Sequence, residues 1–148
     1  MQPATTFDVT VPSASERQWA ALAHLGALVL ALLTSWIAGV AGALAAGAVY
    51  LLKKDSSPFV AMHAREALNF NLSMLIYSLV AVAIGIALIG GTVLTLGLGI
   101  VLTLPAGLAL LAAIGLIALT WLVCSIIATV KAWNGEAYRY PLTLRLID

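Results

Sequence analysis

The chain has 148 residues, of which 63% are hydrophobic and 9% charged, with a net charge of +1 and a mean hydropathy of +1.09. Soluble domains carry roughly 25% charged residues, and the polar surface here is too small to cover the apolar mass, which excludes a water-soluble globule. The near-neutral balance leaves no basic footprint for nucleic acid, and the single cysteine, Cys124, excludes an internal disulfide and a cysteine-based metal site.

The seven basic and six acidic residues fall in three clusters, Asp8 to Arg17, Lys53 to Glu66 and Lys131 to Asp148. The stretches between them, 18–52 and 67–130, carry no charge. A spanning helix needs about 20 mostly apolar residues, so the second stretch holds two passes and the first one or two. This defines an all-α, multi-pass membrane bundle. The chain divides into a disordered N-terminal tail (1–14), a transmembrane helical domain (15–134) and a C-terminal tail on the membrane surface (135–148). The first basic residue is Arg17, and the apolar stretch after it is too long for a signal peptide, so the N-terminus is expected to be retained.

Ser13 and Glu16 have capping-box spacing and predict a helix start nearby. One straight helix over 19–52 would be about 50 Å long, well beyond a hydrocarbon core of about 30 Å. The segment Leu33-Thr-Ser-Trp-Ile-Ala-Gly39 carries break signals, with Trp36 an interface-type residue. The reading is a tight hairpin of short helices over 15–35 and 37–54. Gly39, Ala43 and Gly47 repeat at four-residue spacing, which allows close approach of another helix; the alternative is simply an Ala/Gly-rich apolar helix.

Ser57-Pro58 is an N-cap followed by a first-turn proline and predicts a third helix over 58–89. Gly90-Gly91 is expected to end it. Residues 90–104 are expected to mix loop and helix start, with Pro105 in the first turn of a fourth helix over 105–133. Asn134-Gly135 is a stop signal. Trp19, Trp133, Tyr138 and Tyr140 stand beside Lys53, Lys54 and Arg139, the composition of a headgroup-level belt. With four helices every charge lies on one side. The positive-inside rule makes that side, with both termini, cytoplasmic, as in a bacterial inner-membrane protein.

The third helix begins with the chain's densest polar stretch. At 100° per residue, His63, Glu66, Asn69, Ser73 and Tyr77 share an arc of about 120°, with Arg65 at its border. Two readings stand. The stripe lines a transport or proton path at the mouth of the bundle, or it hydrogen-bonds neighbouring helices together. His24, on the first helix, reaches the stripe if the two helices pack. A His24/His63/Glu66 metal site is conceivable, but one His-x-x-Glu and a distant His do not make a metal motif. No catalytic motif is present, so neither an enzyme nor a cofactor is expected. The expected surroundings are the lipid bilayer and a second copy or another membrane protein.

Four blocks carry a resemblance: Trp19-Ala-Ala-Leu-Ala-His-Leu25, Tyr50-Leu-Leu-Lys-Lys-Asp-Ser-Ser-Pro-Phe-Val60, His63-Ala-Arg-Glu-Ala-Leu-Asn-Phe70 and Lys131-Ala-Trp-Asn-Gly-Glu-Ala-Tyr-Arg-Tyr-Pro141. Over about residues 17–145 the chain resembles the DUF4870 family, small bacterial membrane proteins grouped with the Tic20-like proteins. The plastid members of that group serve protein import. The residues point to a non-enzymatic four-helix membrane protein, a structural or accessory subunit that packs against itself or a partner, and the resemblance implies a protein-transport-like role. The rival readings are a small conduit that uses the polar stripe, and an intramembrane enzyme that uses His63 and Glu66. In cysteine-labelling experiments, positions near 36 and 95 are expected to react from one side and 55 from the other. Labelling of 36 and 55 from the same side excludes four helices.

Overall fold

The computed structural model describes residues 11–34 and 38–147. Among these it contains four helices and no strand: α1 (Ala14–Thr34), α2 (Ala38–Lys53), α3 (Pro58–Leu94) and α4 (Ile100–Trp133). Trp36, with the turn assigned to it, and the N-terminal tail as far as residue 10 lie outside the described residues.

Local chemistry sets the helix starts. The Ser13 N–H donates to Glu16 Oε2 (2.8 Å) and the Glu16 N–H to Ser13 Oγ (3.2 Å), the reciprocal capping that satisfies two orphan donors. Ser57 caps α3 by accepting from the Val60 N–H (3.3 Å), with Pro58 in the first turn. The Ser57 hydroxyl also donates to Glu16 Oε1 (2.7 Å), tying the start of α3 to the start of α1. Lys53 sits 4.5 Å from the Trp19 ring centroid. The end of α4 joins this group, because Gly135 (φ +80) lies against Arg17 and Pro12. Among the described residues, the charged groups at these helix ends therefore gather at one end of the bundle.

The core is built from small side chains. Ala20, Ala23, Ala27 and Ala31 of α1, Ala46 of α2, Ala64 and Ala67 of α3, and Ala128 and Ala132 of α4 are all buried. Small residues let helix axes approach closely, which gains dispersion contact where lipid removes the hydrophobic drive between helices. The tightest crossing is α2 on α3. A Cβ on Gly39 would stand 3.0 Å from Leu75 Cβ, and one on Gly42 only 2.2 Å from Asn71 Oδ1. Ala43 is buried, whereas Gly47 meets Leu68 at an ordinary 3.8 Å. Gly42, which is off the four-residue repeat, makes the closest approach of the three glycines.

The far end departs from the sequence expectation. α3 runs through Gly90-Gly91 to Leu94, and α4 begins at Ile100, so Pro105 lies inside α4 and not in its first turn. The physical reason is the solvent. Glycine weakens a helix in water, but in hydrocarbon an opened backbone has nothing else to bond to. The turn is confined to residues 95–99, where Leu96 (φ 53) and Gly97 (φ 89) adopt left-handed conformations. Thr92 Oγ1 and Thr103 Oγ1 bridge the two helices at 2.6 Å.

α3 and α4, with 37 and 34 residues, far outreach α1 with 21 and α2 with 16. At 1.5 Å per residue, α3 is about 55 Å long and α2 about 24 Å. Past Tyr77 and Trp121, among the described residues, the two long helices run on beyond α1 and α2. They splay around cavities of about 540 and 430 Å³, the larger lined by Met74, Ala81, Gly85, Leu110, Ile114 and Trp121 among others. Three helices, α1, α3 and α4, are long and apolar enough to cross a membrane.

Gly42→Val is expected to destabilise the protein by about 1–3 kcal/mol through overpacking, measured as thermal unfolding in detergent. Gly47→Ala is expected to stay within about 0.5 kcal/mol.

Candidate functional site

The C-terminal segment, from Glu136 to Ile147, leaves the end of α4 and packs along the polar face of α3. Its backbone is hydrogen-bonded by α3 side chains in sequence. The Tyr140 N–H donates to Glu66 Oε2 (3.3 Å). The Tyr77 hydroxyl donates to the Leu142 carbonyl (2.7 Å). The Leu144 N–H donates to Ser73 Oγ (2.9 Å). Asn69 closes the ladder: Oδ1 accepts from the Leu146 and Ile147 N–H groups (3.1 and 2.9 Å), and Nδ2 donates to the Ile147 carbonyl (2.9 Å).

The two periods match. Tyr77, Ser73 and Asn69 are four residues apart, about 6 Å of helix rise. Leu142, Leu144 and Leu146 are two residues apart, about 6.6 Å of extended chain. An extended segment running antiparallel to α3 therefore finds a polar side chain at every second residue. The chain reverses at Pro141-Leu142, where Leu142 has φ 56.

A second group sits nearer the charged end. His24 Nε2 and His63 Nδ1 are 2.9 Å apart, and His24 Nδ1 is 2.9 Å from the Tyr140 hydroxyl. All three side chains are buried. Tyr140 stacks on Phe70, with centroids 3.9 Å apart and planes 13° from parallel. Its ring thus anchors the segment while its N–H meets Glu66. The His63 and Phe59 rings meet edge to face with centroids 4.6 Å apart. Arg145 pairs with Glu66 at 3.6 Å, and Lys131 pairs with Glu136 at the surface.

The structure thus places Glu66, Asn69, Ser73 and Tyr77 on the C-terminal segment and joins His63 to His24. Arg65 is half-buried and forms no ion pair among the described residues. Trp133, Lys54 and Arg139 are exposed, and Trp19, Lys53 and Tyr138 are half-buried. Tyr140, grouped by sequence with the belt aromatics, is 3% exposed. Its hydroxyl finds a partner inside the protein, so the ring has no need of the headgroup level. Among the described residues, no group of three His, Cys, Asp or Glu side chains could hold a metal ion. Cys124 packs with Phe70, Ala128 and Tyr140 as a small buried hydrophobe. Sequence reasoning missed the docked segment. Its signal was the alternation Leu142-Thr-Leu-Arg-Leu146, a period of two beside a helix with polar groups every four.

These features define a small, all-helical, multi-pass membrane protein whose non-helical C-terminus is bonded to a polar helix face. The model of the magnetosome magnetite crystal formation protein family (MamF/MmsF) matches residues 15–147, and the chain belongs to that family. This match corrects the DUF4870 and Tic20-like resemblance, since all four blocks that carried it lie within the matched range. Neither the curated proteins nor the solved structures contain a match.

Asn69→Ala removes three bonds to the segment and is expected to cost about 1–3 kcal/mol through the backbone groups left unpaired. The readout is faster hydrogen exchange and carboxypeptidase trimming of residues 142–147. Ser78→Ala, which removes only a bond to the helix's own Met74 carbonyl, is expected to leave both unchanged.

Proposed function

We propose that the chain serves magnetite crystal formation as a structural, non-catalytic component of the magnetosome membrane, continuous in origin with a bacterial inner membrane. The family match supplies the process. The observation that carries the structural role is the occupancy of the polar stripe. Glu66, Asn69, Ser73 and Tyr77, the side chains that would have lined a conduit, are bonded to the chain's own C-terminal backbone. Of these four only Tyr77 also borders a large cavity, the one that opens between α3 and α4, and hydrocarbon side chains dominate the walls of both cavities there. Such walls offer an ion no replacement for its hydration shell.

The gathering of Lys53, Lys54, Lys131 and Arg139 at one end supports, by the positive-inside rule, a cytoplasmic side for that end and for the N- and C-termini. The bare apolar surface of α3 and α4 then faces lipid, and the protein acts by organising the bilayer and its neighbours around the growing crystal.

The test is complementation in magnetite-forming cells that lack this chain, with crystal size measured by electron microscopy. Glu66→Gln is expected to restore crystals, because a carboxamide oxygen still accepts from the Tyr140 N–H. An Asn69→Ala/Ser73→Ala double variant, which frees the segment, is expected to give altered crystals. Purified protein in liposomes is expected to pass no protons. A flux abolished by Glu66→Gln would overturn the structural reading in favour of a conduit.

A further inference from the structure

α1 and α2 stop halfway along α3. The packing of α2 on α3 climbs in register: Gly47 lies against Leu68, Gly42 against Asn71 and Gly39 against Leu75. On α1, Ala23 packs with Ala64 and Ala27 with Ala67. α1 continues only to Thr34, seven residues past Ala27, and α2 starts at Ala38, so both end near the level of Leu75. The C-terminal segment is bonded to α3 as far as Tyr77. α3 runs on to Leu94, 19 residues beyond Leu75, or about 28 Å of helix.

This outer part of α3 and α4 is bare hydrocarbon. Leu79, Val82, Ile86 and Leu94 of α3 are exposed, as are Leu104 and Leu111 of α4, and residues 67–130 carry no charge. A hairpin of that composition does not project into water, and both helices are long and apolar enough to cross a membrane. The far face of the bilayer therefore lies near the α3–α4 turn at residues 95–99. The near face lies between Pro58, where α3 begins, and Glu66, its last charged residue. Measured from Glu66, Leu75 stands about a third of the way to Leu94; measured from Pro58, it stands about half of the way. These fractions do not depend on the tilt of the bundle. The ends of α1 and α2 thus fall short of the far leaflet. Non-helical backbone at such depth needs protein beside it. Gly39, one residue into α2, lies so close to α3 that an added Cβ would stand 3.1 Å from Leu75 Cα.

We propose that α1 and α2 form a re-entrant hairpin, entering and leaving the bilayer on the charged side, and that the resulting wedge favours membrane bent convex toward that side. Among the described residues, the near leaflet holds four helices and the extended C-terminal segment, whereas the far leaflet holds α3 and α4 alone. With helices each about 10 Å across, the near half displaces roughly twice the lipid area of the far half. A bilayer relieves that imbalance by bending so that its near leaflet is the expanded one. The hairpin revises the sequence expectation that the connections near residues 36 and 95 share the far face. It leaves both termini and residue 55 together on the near side. The inference rests on helix register and length, and not on a role in crystal formation.

The test uses full-length protein in a Cys124→Ala background, reconstituted in phospholipid bilayers. Thr34→Cys and Leu98→Cys variants each carry a fluorophore, and nitroxide-labelled lipids report its depth. The probe at 34 is expected to be quenched most by labels on the acyl chains, and the probe at 98 by labels at the headgroup. An impermeant thiol reagent is expected to reach position 98 from the far side and position 34 from neither side. Curvature is read separately, as protein density on membrane tubes pulled from giant vesicles. With the charged end outward, the tubes are expected to be enriched several-fold over the flat membrane; with the charged end inward, they are expected to be depleted. Labelling of position 34 from either side, or equal density on tube and flat membrane in both orientations, overturns the proposal.

Discussion

The arrangement depends on one constraint: an extended backbone placed against a membrane bundle must have its N–H and C=O groups satisfied by protein. α3 meets that constraint with a stripe of side chains. Asn69 alone bonds three backbone groups at residues 146 and 147, and Ser73, Tyr77 and Glu66 bond groups at residues 144, 142 and 140. His63 bridges α3 to His24 of α1, whereas Glu66, Asn69, Ser73 and Tyr77 bond the C-terminal segment. They let a non-helical segment occupy a place where helices are the rule. The match of helical rise to strand rise, four residues against two, is what allows a repeating ladder.

Tyr140 links that ladder to the rest of the bundle. Its ring stacks on Phe70, its hydroxyl meets His24, and its N–H meets Glu66. His24 in turn meets His63. One residue of the C-terminal segment is thereby tied to α1 and α3 together, and through Cys124 and Ala128 to α4. The alanine core makes this reach short enough for side-chain hydrogen bonds. Ala23, Ala64 and Ala67 are fully buried, and larger residues there would push α1 and α3 apart.

The molecule has two unlike halves. Near the charged end, four helices and the C-terminal segment enclose polar groups. Beyond Tyr77 and Trp121, α3 and α4 continue alone, splayed and apolar. Their hydroxyls bond back into their own helices, as Thr92 does to the Leu88 carbonyl and Thr120 to the Leu116 carbonyl. That half makes no polar demand on its surroundings and suits a lipid environment. Recognition is concentrated in the other half.

Composition and charge spacing alone determined that the chain is a helical membrane protein. They also placed four helices to within a few residues at most ends, because capping residues and charge-free runs are local signals. Ser13, Glu16, Ser57, Pro58 and Asn134 act through their immediate neighbours. The exceptions, Gly90-Gly91 and Pro105, are breakers in water whose effect is overridden where an opened backbone finds no water. The polar stripe was also legible, since helical periodicity follows from sequence. Its occupant was not. Only the tertiary structure decided that residues about seventy apart, Asn69 with Leu146 and Ile147, meet. That meeting rests on two periods coming into register across space, and on Tyr140 finding a hydroxyl partner inside the bundle.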